Sequence, residues 1–400
     1  MTPVLFDRYS TRSMIGVLDD CISCTVTEEV NGVFECTFQY PVTGKHFEQL
    51  INYGGMIYAS HAHGLSGKYK ADYFDVYKYS APINGIVTFY AQHISYRLSN
   101  VIVRGGWTAT DPNDLLQKIA ANTVTPNEFS FLISAGPWDD GTITVNSFDN
   151  ARRLMLGRDG AISAVNTWRC EFEFFDNRVQ VIPKRGADNG VSIRYGKNLT
   201  NFQREKDNGG IVSQIFPYWH DSDNLQFVEG DIASSPNVAT GYSPWTTTER
   251  GQFPPQPPFY YDEPVFSSFG ELYFRPAIIM AAAMDFSDKF DTTPTANDLK
   301  RAALAYMRKD STWRPNDNIT IDFIDLFNTP EYADVQEMEK CNVGDFVNVY
   351  YPELGVVSTG VEIVSATYDT LADRYTQMQL GTIKTTLAQT IIDYIGGVYK

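Results

Sequence analysis

The sequence predicts a mostly β protein with some α, assembled from short antiparallel strands. Three observations carry this. Apolar and polar residues alternate through much of the first hundred and the last hundred residues, the period of a half-buried strand. Alternating runs are joined by tight-turn pairs, Asn31-Gly32, Asn84-Gly85 and Asp176-Asn177. Aromatic residues make up 14% of the chain, with 24 Tyr and 25 Phe, a composition that suits pleated surfaces and can fill cores.

Each element arises from local pattern. Ile22, Cys24 and Val26 alternate toward Asn31-Gly32, and Phe34, Cys36, Phe38 and Tyr40 alternate away, which predicts a hairpin. A second hairpin spans 73–96 around Asn84-Gly85, with Met56-Ile57-Tyr58 as a short strand between the two. Asp111-Pro112 followed by Leu115, Leu116 and Ile119 predicts a capped helix with Pro in its first turn. Asp140-Gly141 marks a turn in a strand region from Trp138 to Phe148, and a helix is expected on either side of the Gly157–Gly160 corner. Phe172, Phe174, Val179 and Val181 make the next hairpin, and Val191 and Ile193 continue in strand.

Residues 220–290 are the least regular, and Pro254-Pro255 and Pro257-Pro258 among Tyr260, Tyr261 and Phe266 read as an aromatic-pinned loop. Thr295 with Asp298 three places on is a capping box opening a helix striped by Leu299, Ala302, Ala303 and Tyr306. Alternation returns at Ile319–Phe323, Phe346–Val349 and Val361–Tyr368, and Leu387, Ile391, Tyr394 and Ile395 outline a C-terminal helix over 386–400.

Composition excludes several classes. No apolar run approaches the roughly 18 residues of a membrane helix, and the first residues lack the basic and apolar regions of a secretion signal. Five scattered cysteines suit a reducing compartment. The net charge of −16 argues against a surface that sequesters nucleic acid. That charge is uneven: residues 150–210 hold 11 Lys and Arg against 7 Asp and Glu, whereas 315–400 hold 4 against 13.

Chemical motifs are sparse. Cys21-Ile-Ser-Cys24 lacks the second ligand pair of a zinc site. Read on an alternating strand, its two sulfurs point to opposite faces and are ordinary strand cysteines. His61 and His63 sit in a polar stretch that reads as a loop tip without acidic or Cys partners, so no metal is expected; His93 reads as a hydrogen-bonded core histidine. Glu171 and Glu173 share a strand face, the spacing of a glycosidase pair, but Arg169 and Arg178 beside them favour a solvated face. The HExxH zinc helix, the GxSxG elbow and the P-loop are absent. No cofactor is implied.

Several of these segments carry a family resemblance. The stretch RGADNGVSIRYGKNLTNFQREKD, from Arg185, resembles the central signature of the tail-tip hub proteins of long-tailed phages, also known as prophage endopeptidase tail proteins. The hairpin EEVNGVFECTFQYP, the strand AQHISYRL, the MDFSDKF, LKRAALAYM and NITIDFIDL segments and the closing pair around Tyr368 and Gln379 are similar to that family in the same order.

The resemblance implies a structural virion protein, not an enzyme: a homotrimeric baseplate hub at the distal end of the tail tube. Each subunit would contribute two similar β-barrels, interleaved in sequence, so that three subunits match a six-fold tube. The implied division is 1–99 with 191–220, 100–190 with 316–385, a peripheral α+β domain over 221–315, and the C-terminal helix. Implied partners are further copies of itself, the distal tail or tube protein, the tape-measure protein, tail fibre or receptor-binding proteins and the bacterial cell surface, with genomic DNA passing through unbound. The protein would assemble in the host cytoplasm and reside in the virion tail tip. Two alternatives remain open: a cell-wall hydrolase, and receptor or carbohydrate binding through 221–290. Because a basic lumen would hold DNA phosphates, carboxylates of the acidic last third, Asp317, Asp322, Glu362 and Asp369, are candidates to line the channel.

Overall fold

The computed structural model describes residues 1–8, 12–53, 55–64, 69–81, 84–157, 162–194, 198–207, 214–221, 226–229, 233–234, 265–266, 272–273, 281–290, 292–310, 316–323, 340–351 and 356–381. They fall into two compact units, Met1–Arg204 with Asn318–Ile383, and a second within Glu205–Asp317. The proline-rich stretch at 254–258 and the expected helix over 386–400 lie outside the described residues.

The first unit opens with β1 (Val4–Phe6), β2 (Met14–Val17), β3 (Ser23–Glu29), β4 (Phe34–Pro41), α1 (Phe47–Tyr53), β5 (Met56–His63), β6 (Tyr69–Ser80) and β7 (Ile86–His93). Next come β8 (Ile102–Val103), β9 (Trp107–Ala109), α2 (Pro112–Asn122), β10 (Ser130–Leu132), β11 (Ile143–Val145), β12 (Asp149–Asn150), α3 (Ala151–Leu156), α4 (Ala164–Trp168), β13 (Glu171–Phe175) and β14 (Arg178–Ile182). After β15 (Asp188–Arg194) and β16 (Leu199–Asp207), the second unit holds β17 (Gln214–Asp221), β18 (Gln226–Glu229), β19 (Ala233–Ser234), β20 (Val265–Phe266), β21 (Leu272–Tyr273), β22 (Ala281–Asp285) and α5 (Ala296–Asp310). The chain returns to the first unit as β23 (Asn316–Phe323), β24 (Phe346–Tyr351), β25 (Val356–Asp369) and β26 (Arg374–Leu380).

Turn chemistry sets the hairpins. Asn31 and Asp176 adopt φ of 56° and 52°, the left-handed region that Asn and Asp tolerate. Val26 thereby faces Cys36 across β3–β4, and Phe172 faces Val181 across β13–β14. The helix caps form as the residues dictate. Asp111 accepts from the Asp114 amide at 2.9 Å, and Leu115, Leu116 and Ile119 are buried. At α5 the box is reciprocal: Asp298 N donates to Thr295 Oγ1 at 3.2 Å, and Thr295 N to Asp298 Oδ2 at 3.0 Å. The strand region expected from Trp138 to Phe148 shrinks to β11.

One sheet of thirteen strands dominates. From edge to edge it runs β16, β23, β26, β25, β3, β4, β7, β6, β5, β1, β2, with β24 and β15 joined through β25. β25 is the hinge of this arrangement. Its first half lies against β24, while Ser365–Asp369 sit between β26 and β3. Strands β1–β7 cover a core of Leu5, Phe38, Phe74 and Phe89, and a second core gathers Val191, Ile193, Ile321, Val347, Ile363 and Met378.

Strand pairing differs from the expected interleaving. β15 pairs with β24 and β16 with β23, so the segment expected beside the first hundred residues adds to the last hundred instead. Residues 100–187 keep their own core around Leu115, Leu116, Met155, Trp168 and Phe172. The reason is physical: alternation shows which residues form strands but not which strand lies alongside. No hydrogen-bonded ladder closes into a barrel among the described residues; the sheet stays open at β16 and β2. Cys21 precedes β3 and packs against the same core as Cys24 and Cys36, whose sulfurs lie 3.6 Å apart. The CxxC sulfurs therefore share one side, contrary to the strand reading.

Gly186 marks the closest crossing of two segments. Its φ is +72°, and a Cβ there would overlap the backbone of Gly344. Gly190 has a similar φ of +74° with open space around it. Gly190→Ala should cost only the left-handed penalty, about 1–2 kcal/mol. Gly186→Ala adds overpacking and should cost about 3 kcal/mol or more in urea denaturation. Equal effects of the two substitutions would refute the crossing.

Candidate functional site: the charged seam

Alternation along β3 places Glu28 on the inward face, where a carboxylate needs partners. It finds Arg185 Nη2 at 2.6 Å and His61 Nδ1 at 3.4 Å, all three groups being buried. Lys184 joins two further glutamates, at 2.6 Å from both Glu171 Oε1 and Glu362 Oε2. The Arg185 amide also donates to Glu171 Oε2 at 2.6 Å. Residues 184–185 therefore tie β3, β13 and β25 together.

Burial alone would lift the Glu28 carboxyl, but Arg185 and His61 outweigh it and hold it well below the usual carboxylate range. At Glu362 burial wins over Lys184, and its carboxyl is raised. Burial disfavours the charged Lys184 too, yet its two carboxylates lift its pKa.

A second buried pair lies close by. His93 Nδ1 accepts from the Ser95 amide at 3.2 Å, which leaves its proton on Nε2, 3.2 Å from Asp72 Oδ2. Asp72 also accepts from the Asp176 amide at 2.7 Å. Phe34 stacks on the imidazole with 4.2 Å between ring centres. Burial opposes the Asp72 charge, but His93 draws its pKa down. Asn31 completes the seam: its side chain donates to Cys170 O at 3.1 Å and accepts from Phe172 N at 2.8 Å.

His61 and His63 do not form a loop tip. Both lie on β5 and are buried, His63 edge-on to Tyr368 and Tyr375. Among the described residues no cluster of His, Cys, Asp or Glu is arranged to hold a metal ion. Glu171 is buried on Lys184 rather than solvated, and Glu173 reaches Lys70 at 3.7 Å. Of the channel candidates, Asp322 on β23 accepts from Asn201 at 3.1 Å and Gln377 at 3.2 Å. Asp369 accepts from the amides of Leu371 and Ala372 in the β25–β26 turn. Glu362 is buried on Lys184, and Asp317 is on β23 with its side chain outside the described set.

The second unit contains a grouping that sequence reasoning missed. Ser287 Oγ lies 2.9 Å from His220 Nδ1 and donates to Asp285 Oδ1 at 2.6 Å, and Asp285 Oδ2 is 3.1 Å from the same Nδ1. A nucleophile relay needs serine and aspartate on opposite ring nitrogens. Here both crowd Nδ1, and Asp285 Oδ1 also accepts from the Ser287 amide at 2.9 Å. Nothing in sequence joins His220 to Ser287, which are 67 positions apart.

The family model for prophage endopeptidase tail proteins matches residues 187–391. The chain belongs to the prophage endopeptidase tail family. Its match opens one residue after Gly186 and takes in the strands that hold the second core. The fold is shared with solved tail proteins over the whole length. Prophage tail protein gp18 from Listeria monocytogenes EGD-e aligns with TM-score 0.58 at 13% identity, covering 100% of both chains. The 43 kDa tail protein of prophage MuSo2 from Shewanella oneidensis aligns at 0.56 and 12%, covering 97% of this chain and 99% of its own. A tail protein from Neisseria meningitidis MC58 aligns at 0.51 and 9%, covering 98% of each. No curated protein sequence matches. This family member is thus a phage tail protein, mostly β.

The seam predicts a pH dependence. Glu28 and Asp72 hold their protons less tightly folded than unfolded, so the unfolded chain binds more protons in acid. Their stabilisation is complete above the unfolded carboxylate range, about pH 4–5, and is lost as pH falls through the folded values. Glu362 is raised and acts in the opposite sense: its charged form is penalised near neutrality, and acidification relieves this. Urea midpoints between pH 7 and pH 3 should fall less steeply in Glu28→Gln and more steeply in Glu362→Gln than in the parent. Identical slopes in all three would refute the assignment.

Proposed function

We propose that the chain is the hub of a phage tail tip, a ring of three copies through which DNA leaves the tube. The observation that carries this is the open thirteen-stranded sheet. It holds two modules, β1–β7 and the β15–β16, β23–β26 set, joined where β25 pairs with β3. Six modules in three copies would match a six-fold tube. The sheet ends at β2 and β16, whose outer edges have no strand alongside among the described residues. β2 also exposes Met14 and Ile15. Such an edge invites addition of a neighbour's strand, and joining β2 of one copy to β16 of the next continues the sheet around a ring.

In this reading the tube and tape-measure proteins lie above, and fibres or receptor-binding proteins attach around. The protein is built in the host cytoplasm and works at the virion tip. Asp322 and Asp369 face the channel, while Glu362 serves the interior seam. The chain is structural and catalyses nothing; Glu28 lies beside Arg185 and His61, Asp72 beside His93, and Glu171 and Glu362 on Lys184.

Light scattering of the full chain at micromolar concentration should give three times the monomer mass. Met14→Lys with Ile15→Lys should leave a folded monomer, because charge on an edge blocks strand addition. A parent that stays monomeric, in solution and in tail particles, rules the ring out. The full chain should also leave purified cell wall intact in a zymogram; a cleared band abolished by Glu171→Gln would reinstate the hydrolase.

A further inference from the structure

A cleft of about 440 Å³ lies between β6, the end of β7, the 3-10 turn Ile94–Asn100 and the loop that leads into β10. Its volume falls in the range of small-ligand sites. A β-bulge shapes one wall. Val76 of β6 faces Ala91, and the next pair is Lys78 with Tyr90, so Tyr77 is the extra residue in the ladder. A bulge re-aims the side chain it carries. Tyr77 lines the cleft with 51% of its surface exposed.

Ion pairs fix the other walls. Arg97 holds Asp75 through two parallel bonds, Nε to Oδ2 at 2.6 Å and Nη2 to Oδ1 at 2.8 Å. Its Nη1 donates to Glu128 Oε1 at 2.7 Å. Arg8 places Nε 3.3 Å from Asp75 Oδ1 and donates from Nη2 to Val76 O. Two guanidiniums thus meet two carboxylates, and the formal charges lining the cleft cancel. Beside them stand the side-chain amides of Gln92 and Asn100 and the hydroxyl of Tyr77, which make no hydrogen bond among the described residues. Val101 and Phe129, both buried, back the cleft with apolar surface.

We propose that this cleft binds a neutral saccharide. The charge balance removes the other classes. A phosphate or carboxylate ligand needs cationic donors in surplus, and both arginines are already engaged with Asp75. An organic cation needs a carboxylate with room to accept. Asp75 receives both arginines, and Glu128 receives Arg97 and the Asn177 amide group at 3.4 Å. A purely apolar ligand would cover the Gln92, Asn100 and Tyr77 polar groups and leave them unpaired, which is costly. A pyranose fits all of these. Its hydroxyls both donate and accept, as amides and a phenol require. Its C–H face suits an exposed ring with an apolar body and a polar tip, which Tyr77 supplies. The paired charges hold the cleft in shape before the sugar arrives, which lowers the ordering cost of binding. The inference stands whether or not the chain forms a ring, and it gives the subunit itself a contact with glycans.

The test uses the full chain with glucose, rhamnose and N-acetylglucosamine at millimolar concentration. Saturation transfer from protein to sugar protons is read by NMR. At least one sugar should show transfer. Tyr77→Ala and Gln92→Ala should each weaken binding about five-fold or more. Tyr79→Ala, a tyrosine of β6 exposed to 48% and outside the cleft, should leave it unchanged. Asn100→Ala, at an exposed position, takes the place of Gln92→Ala if that variant does not fold. Silence from all three sugars overturns the proposal, and so does transfer that survives Tyr77→Ala. Displacement of the sugar by inorganic phosphate at equal concentration makes the cleft an anion site, with the same consequence. A resin carrying a polymer of the sugar that binds separates the sources. Retention with elution by the free sugar, the expected result, assigns the site to a polysaccharide chain; binding of the free sugar alone upholds the site and assigns it to a small sugar.

Discussion

The crossing at residues 184–187 is the constraint on which the first unit depends. Lys184 holds Glu171 and Glu362, and Arg185 holds Glu28. Gly186 lets the backbone lie on Gly344, and the Ala187 amide donates to Asp345 Oδ1 at 2.8 Å. Within four residues the chain thus touches β3, β13, β25 and the turn before β24. A buried ion pair is a modest source of net stability, because desolvation offsets much of the attraction. Its larger effect is selective. A seating of β15 that withdraws Arg185 leaves Glu28 buried without its guanidinium, a penalty of several kcal/mol. The crossing therefore decides which strands meet, a choice the hydrophobic pattern leaves open.

The crossing also makes the sheet continuous. With β15 directed to β24, the long β25 is held at one end by that pair and is free to lie between β26 and β3 at the other. Two modules then share one ladder, and their outward rows stay in register from β23 to β7. Thr370 reinforces the join, donating its hydroxyl to Ser60 O at 2.7 Å and its amide to Cys24 O at 2.9 Å. A one-residue slip at this join would exchange Thr27 and Thr367 for the core residues beside them.

Local chemistry was legible in the sequence, and partnership was not. The turns at Asn31 and Asp176, the Asp111 cap and the Thr295–Asp298 box each depend on a few adjacent residues, and each forms as read. His61 and His63 looked like a loop because their neighbours are polar or small. Glu28, Phe34, Tyr368 and Tyr375, distant in sequence, make that stretch a buried strand. Cys21 misled for a related reason, since the strand begins two residues later than the alternation suggests. The family signature from Arg185 onward was visible as letters. Its physical content, a cation for Glu28 and a glycine facing a glycine, depends on residues more than 150 positions away.

A few charged groups depart from the usual arrangement of a globular protein. Ionisable groups are ordinarily kept at the surface, where water solvates them cheaply. Here Glu28, Asp72, Glu171, Arg185 and His93 are buried along the seam. Buried charges make wrong alignments of the segments unfavourable. Glu28 lies beside Arg185 and His61, Asp72 beside His93, and Glu171 on Lys184, so the buried carboxylates of the seam each face a basic group that helps to fix the fold.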